Sequence, residues 1–356
     1  MFNTVMALED ILNKVYETPE RSLAEINQLL SLEDQVELER LFLFADGIRA
    51  KFMGDGILLR GIIEFSSHCV NNCFYCGLNN QNNNLKRYRI PSDEILEAVA
   101  KINAQNIKTV VLQSGEDDEL DPLWLAGLVS RIKQNFDMAV TLSVGEKSRD
   151  EYKLWREAGA DRYLLKMETA DARIYSMAHS GRYLESRLKC LDDLADLGYQ
   201  VGSGLIVGLR GQTIDSLARD ILFFKQQDYD MIGIGPLIPH PHTVFANDPP
   251  GNVRLTLKAL AVTRIVTRDA HLPATTALGS AGGDYRTDGL KVGANVLMPN
   301  FTPAEYKKLY EIYPGKTCID ESSSQCVSCM GAKVTSIGRF IDNSAGHSFK
   351  RNHLFH

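Results

Sequence analysis

Apolar positions along this chain follow two rhythms. Near the start, Val5, Leu8, Ile11, Leu12 and Val15 recur at helical spacing, and a second helical run covers about residues 32 to 49. From Gly61 onward the pattern changes to short apolar runs separated by amphipathic stretches. Those runs predict eight strands, at 61–66, 108–114, 138–144, 161–168, 201–208, 231–236, 272–278 and 294–299. Helices fit between them. Ser148-x-x-Glu151 is a capping box that opens one, and Thr302-Pro303-Ala304-Glu305 reads as another, with proline at the first helical position. Ile214, Leu217, Ile221 and Phe224 form an apolar stripe on a third.

Eight strand–helix alternations predict an α/β fold, a (β/α)8 TIM-type barrel with an N-terminal helical cap and a C-terminal extension. The cap, residues 1–55, would cover the bottom of a barrel at 56–310, leaving 311–356 as the extension. A doubly wound open sheet is the alternative, because closure is not visible in a sequence. The Asn/Gln-rich stretch 79–84 reads as a polar loop, and the tail after Thr335 as weakly structured. A chain of 356 residues that is 44% hydrophobic can build a large core. A net charge of −6 with no basic stripe argues against a nucleic-acid partner. No apolar run approaches the ~18 residues that a membrane span needs. The acidic amphipathic start does not read as a targeting peptide, so the expected setting is cytoplasmic.

Seven cysteines, six of them in two close triplets, fit metal binding in a reducing compartment better than disulfides. Cys69, Cys73 and Cys76 are spaced C-x3-C-x2-C directly after the first barrel strand, at the end where barrels place their active sites. Three thiolates hold three corners of a [4Fe-4S] cube and leave the fourth iron open to a small molecule. A structural zinc site is the competing reading. It normally needs four ligands, and His68 lies awkwardly close to Cys69 to be the fourth.

The spacing resembles that of radical S-adenosylmethionine (SAM) enzymes. The resemblance implies that Tyr75 lies near the adenine of SAM and that Ser114-Gly115, ending the second strand, brings backbone close to the SAM amino group. Glu168, a carboxylate at the end of the fourth strand, is placed to hydrogen-bond the SAM ribose or amino group; a solvated loop carboxylate is the plainer reading. Arg182 and Arg187 are candidates for the SAM carboxylate, with Arg187 preferred. Cys190, alone on a helix, reads as a buried small hydrophobe.

The stretches HCVNNCFYCGL, LKRYR, VLQSGED, KMET, IGPLIPHPHT, LPATTALGS and ANVLMPN together resemble the HydE family of [FeFe]-hydrogenase maturases, over roughly residues 55 to 340. Biotin synthase and methylornithine synthase are relatives with the same barrel. The resemblance implies reductive cleavage of SAM to a 5′-deoxyadenosyl radical, with an electron donor such as a flavodoxin or ferredoxin. The radical would act on a cysteine-bound Fe(CO)2(CN) unit made by the maturase HydG, and the product would pass to the scaffold HydF. Thr275, Thr276, Tyr310, Met231 and Met298 are the substrate-binding candidates, beside Tyr313 and Thr141; core packing competes for each. Arg162 lies at the wrong end of its strand for the first rank. Lys166 stands where relatives often have arginine, which keeps the charge and loses the bidentate fork.

The resemblance also implies an auxiliary Fe-S cluster, [2Fe-2S] or [4Fe-4S], at Cys318, Cys326 and Cys329, with a zinc knuckle as the alternative. His240-Pro241-His242 offers a metal pair, but its prolines favour a rigid loop along the adenine. Two other functions stay open. One is a radical SAM mutase or synthase acting on an amino acid; the other is an Fe-S carrier without radical chemistry.

Overall fold

The computed structural model describes residues 7–350, so Val5 lies outside the described residues. The described residues form nine strands: β1 (Gly56–Leu59), β2 (Gly61–Ser66), β3 (Thr109–Ser114), β4 (Ala139–Ser143), β5 (Arg162–Leu164), β6 (Gln200–Val207), β7 (Met231–Pro236), β8 (Val296–Leu297) and β9 (Phe340–Asp342). From β2 to β7 they form one parallel sheet in sequence order, and β8, β1 and β9 form a second parallel group. The ring closes through residues 271–301. His271 and Ala274 bridge Met231 and Ile234, and Pro273 bridges Val296. The Ile62 amide then donates to the Pro299 carbonyl at 2.9 Å, and the Phe301 amide to the Ile62 carbonyl at 2.8 Å. The result is the closed barrel, not the open sheet.

Several staves are shorter than their apolar runs. The seventh pairs only around His271–Ala274, because Pro273 has no amide to donate and Thr275 begins a turn in which its carbonyl takes the Gly279 amide. The fifth stops at Leu164: the Met167 amide donates to the Ser203 hydroxyl in place of a ladder carbonyl, and pairing resumes only at Glu168 with Leu205. Thr302 does not cap a helix. Its hydroxyl accepts the Glu64 amide at 2.9 Å, and the helix that follows is one turn long, Ala304–Lys307. The Ser148 capping box is present, and Leu217, Ile221 and Phe224 face the core as their spacing requires.

The N-terminal helices (Leu8–Glu17, Leu23–Leu30 and Gln35–Met53) pack largely on the outer helices Ile214–Gln227 and Val253–Thr267. The bottom of the barrel is filled instead by the tail, which the sequence pattern left as weakly structured. β9 pairs with β1, and residues 345–350 then turn under the ring. Fully buried Arg162 donates to the Thr109 hydroxyl (3.1 Å), the Gln200 amide oxygen (3.1 Å) and the Ala345 carbonyl (2.7 Å), and meets His347 Nδ1 at 3.1 Å. Arg60 reaches the Gly346 carbonyl, and Lys350 binds the carbonyls of Asp228 and Tyr229. The tail's polar backbone is held by side chains of the strands, which is why no apolar pattern announces it.

Arg162→Met should therefore strip partners from several buried polar groups at once. The expected loss is about 3 kcal/mol in urea unfolding, with faster amide exchange confined first to residues 343–350.

Candidate active site

The cysteine loop leaves β2 at the top of the barrel and is held along its length. The Val70 amide donates to the Glu116 carbonyl (2.9 Å), Phe74 to Ala178 (2.9 Å) and Gly77 to Ile312 (2.8 Å). The asparagine-rich stretch has a task here. Asn79, Asn80 and Asn82 donate their side-chain amides to the carbonyls of Cys76, Val70 and Gly77, at 2.7–2.8 Å. Arg87 binds three more carbonyls, those of Ser67, Leu78 and Asn79. Gly115 must be glycine: a Cβ there would lie 2.3 Å from the His68 carbonyl oxygen and 2.7 Å from Cys69 Cβ.

Cys69, Cys73 and Cys76 are all free, half-buried thiols on this one loop. Among the described residues, the only trio of metal-ligating atoms within 4.8 Å of one another is Cys318, Glu321 and Cys326. Burial, reinforced by the neighbouring thiols, pushes Cys73 well up and Cys76 up to about 12. Thiols packed this way stay protonated unless a positive centre sits among them.

Around the loop, charge is arranged in pairs. Arg187 is buried; its Nε meets Glu146 at 2.5 Å and its Nη1 donates to the Lys166 carbonyl at 2.9 Å. Arg182 pairs with Glu116 at 3.0 Å. Glu168 sits in the left-handed region at φ 66° and pairs with Lys166 Nζ at 2.9 Å. Lys166 has room because Gly204 and Gly233 face it; a Cβ on Gly204 would lie 2.7 Å from Lys166 Cε. The turn after Glu168 is fixed by Asp220, whose Oδ1 accepts the Ala170 amide (2.6 Å) and the Thr169 hydroxyl (3.1 Å). Burial pushes the Asp220 carboxyl up to about 7.

Tyr75 is half-buried against Ile174, Ala178, Ile206, Leu209, Leu237 and Phe245. Its hydroxyl lies 3.0 Å from His179 Nε2, while His179 Nδ1 lies 2.9 Å from the Tyr175 carbonyl. Burial holds His179 down to about 4, so the ring is neutral: Nδ1–H donates to that carbonyl and Nε2 accepts from Tyr75. His240 donates its backbone amide to the Tyr75 carbonyl at 3.1 Å, so the His-Pro-His segment is a brace for the loop. Ser114 turns its hydroxyl onto the Gly115 carbonyl at 2.6 Å. Cys190 is half-buried at the edge of a polar surface pocket, with its thiol 3.8 Å from the Lys147 carbonyl, where the sequence pattern suggested full burial.

Inside the ring lies a cavity of 210 Å³, lined in part by Thr275, Thr276, Met231, Met298, Thr141 and Tyr313. Tyr310 does not line it; that side chain is buried behind the wall, taking a hydrogen bond from Gln113 at 3.2 Å. The cavity's charged lining was missed by sequence reasoning. Buried Glu64 pairs with buried Lys316 and accepts from Asn300 at 3.0 Å, and Arg60 and His271 lie at the floor. Glu64 had a visible signal, a carboxylate in the middle of the apolar run GIIEFS. Lys316 had none, because only the fold brings residue 316 to residue 64.

Residues 63–224 match the radical SAM superfamily model. The chain is 46% identical over 334 residues to the [FeFe] hydrogenase maturase subunit HydE of Thermotoga maritima, covering 94% of this chain and 95% of that one. The chain belongs to the HydE family. It is also 28% identical over 297 residues to the 3-methylornithine synthase of Methanosarcina acetivorans, covering 82% and 84% of the two chains. The crystal structure of methylornithine synthase (PylB) superposes with a TM-score of 0.82 at 24% identity, covering 93% of this chain and 97% of that chain, which shows the shared fold. As a HydE-family protein this is a radical SAM enzyme, and the superfamily implies a [4Fe-4S] cluster and SAM. Among the described residues no helix is long and apolar enough to cross a membrane.

Gly115→Ala should displace the cysteine loop, costing about 2 kcal/mol or more and most of the iron bound by the first triplet, as read by unfolding and iron analysis. Asp220 sets a pH dependence. Between pH 3.8 and about 7 the folded protein keeps a proton that the unfolded chain has released. Its stabilisation is present below that window and lost as pH rises through it, by about 4 kcal/mol at most. Asp220→Asn should remove this slope, becoming more stable relative to wild type at pH 8 than at pH 5.

Proposed function

We propose that this enzyme is a maturase of [FeFe]-hydrogenase, acting on a small organometallic or amino-acid-derived substrate inside its barrel. Similarity to HydE along nearly the whole of both chains carries this reading. Cys69, Cys73 and Cys76 would hold the [4Fe-4S] cluster. When bound and reduced by a flavodoxin- or ferredoxin-type donor, it supplies reductive cleavage of SAM to methionine and a 5′-deoxyadenosyl radical. Tyr75, Ser114, Gly115, Glu168 and Arg187 would bind and orient SAM. Pairing with Glu146 aims the Arg187 guanidinium, and the neutral His179 aims the Tyr75 hydroxyl.

The substrate would be a cysteine-bound Fe(CO)2(CN) unit received from HydG, with product leaving for HydF. Its polar contacts would come from Thr276 and Thr141. The Thr141 hydroxyl is buried against the cavity and has no hydrogen-bond partner among the described residues, which is what a polar ligand would remedy. Thr275 already bonds the Ile234 carbonyl, so its role is to hold the wall. Met231 and Met298 would pack against the apolar part of the ligand. Tyr310, behind the wall, would position Gln113 and Lys316 and not touch substrate. The second cysteine triplet would carry an auxiliary Fe-S cluster. All seven cysteines are free thiols, which suits a cytoplasmic protein.

The test is anaerobic SAM cleavage by reconstituted, dithionite-reduced protein beside Cys73→Ala, following 5′-deoxyadenosine with and without the HydG product. Cleavage should fall about 100-fold or more in the variant and rise with that product. Cleavage indifferent to the product would favour an amino-acid mutase or synthase. No cleavage from fully loaded protein would overturn the enzyme and favour a carrier.

A further inference from the structure

Glu168 stands at a point of backbone strain. Its φ of 66° lies in the left-handed region, which a residue with a Cβ holds only where its surroundings impose it. On the strand side two ladder bonds do so. The Glu168 amide donates to the Gly204 carbonyl at 2.9 Å, and the Glu168 carbonyl accepts the Ile206 amide at 3.1 Å. Beyond it, Thr169 and Ala170 are held by Asp220, a fully buried carboxyl on the helix Ile214–Gln227. Its Oδ1 accepts the Thr169 hydroxyl at 3.1 Å and the Ala170 amide at 2.6 Å. The Thr169 oxygen in turn accepts the Asp171 amide at 3.1 Å, and Asp171 caps the helix Ala172–Ala178 by accepting the amides of Arg173 and Ile174.

Packing does not explain a carboxyl in this place. The helix buries Leu217, Ala218, Ile221 and Phe224 beside it, and an apolar side chain there would carry no desolvation cost. The second oxygen, Oδ2, is buried and has no hydrogen-bond partner among the described residues. The two bonds that offset this cost both end on the turn that follows Glu168. Without Asp220, the buried Thr169 hydroxyl and the Ala170 amide would be donors lacking that acceptor. Glu168 would then relax toward negative φ, and its carboxylate, which meets Lys166 Nζ at 2.9 Å, would swing with it.

From this arrangement we propose that Asp220 is a positioning residue for SAM: by fixing the turn after Glu168, it holds the Glu168 carboxylate in the direction from which it meets the cofactor. The proposal rests on the reading that Glu168 binds SAM, and it goes further in naming what sets that side chain's direction. Asp220 does for Glu168 what Glu146 does for Arg187, with one difference. Glu146 meets the guanidinium itself, whereas Asp220 acts on the backbone that carries the carboxylate.

The experiment uses the full chain, reconstituted anaerobically and left unreduced so that SAM binds without being cleaved. SAM affinity is measured by equilibrium dialysis, beside iron content and amide hydrogen exchange. Asp220→Ala should weaken SAM binding about tenfold at unchanged iron content, with faster exchange at residues 168–171. Asp220→Asn keeps an oxygen for both donors and should restore affinity to within about twofold of wild type. Thr169→Val keeps the shape, loses the hydroxyl and should also weaken binding; it decides in place of Asp220→Ala if that variant does not fold. The decisive comparison is made in a Glu168→Ala background. There Asp220→Ala should change affinity by less than about twofold, because the carboxylate it positions is gone. Wild-type affinity in Asp220→Ala, no rescue by Asp220→Asn, or a further loss of about tenfold in the double variant would overturn the positioning role. Wild-type affinity in Glu168→Ala alone would overturn the underlying reading instead.

Discussion

Ser66 lies opposite Ser114 in the parallel pairing of β2 with β3, and that register decides where the chemistry sits. It brings the Gly115 amide to the Ser66 carbonyl at 3.2 Å and the bare Cα of Gly115 against His68 and Cys69. The Val70 amide then finds the Glu116 carbonyl, so the cysteine loop is laid along the end of the neighbouring strand. A slip of one residue would turn the inward-facing Glu64 and Gln113 outward and lift the loop away from its support. Every other contact of the loop, from the asparagine amides to Arg87, refines a position already set by this pairing.

The charged groups around the top are arranged in pairs, each cation held by an anion. Glu146 holds Arg187, Glu116 holds Arg182 and Glu168 holds Lys166. Pairs of this kind, partly buried or buried, add little net stability, because solvent screening or desolvation consumes most of the attraction. What they contribute is direction. A guanidinium fixed at both Nε and Nη1 presents its remaining donors without losing rotamer freedom when an anion arrives. Glu64 with Lys316 repeats the pattern inside the cavity, where the pair links β2 to the segment that leads into Cys318.

Much of this was legible before folding. The C-x3-C-x2-C spacing is a local property, set by how far a short loop reaches, and it survives into the structure as a loop on the first barrel stave. Strands buried on both faces appear as unbroken apolar runs, so β3, β4, β6 and β7 were placed closely. Stave seven was overdrawn because apolar residues continue past the turn that Thr275 begins, whereas stave eight follows its apolar run, pairing from Asn295 with Leu58 to Phe301 with Ile62. The tail was missed for the opposite reason. Its contacts are backbone carbonyls meeting Arg162, Arg60 and Thr109, and those carry no side-chain pattern.

By itself, then, the sequence determined the alternation of strands and helices, the cluster-binding spacing and the family, since each depends on residues close together or on overall similarity. Tertiary structure alone decided that the ring closes and that Lys316 meets Glu64. It also put Tyr310 behind the wall and Glu321 beside two cysteines. Those outcomes depend on register and on chain reversals that join residues far apart, and local preference does not encode which distant partners a buried charge or thiol will find.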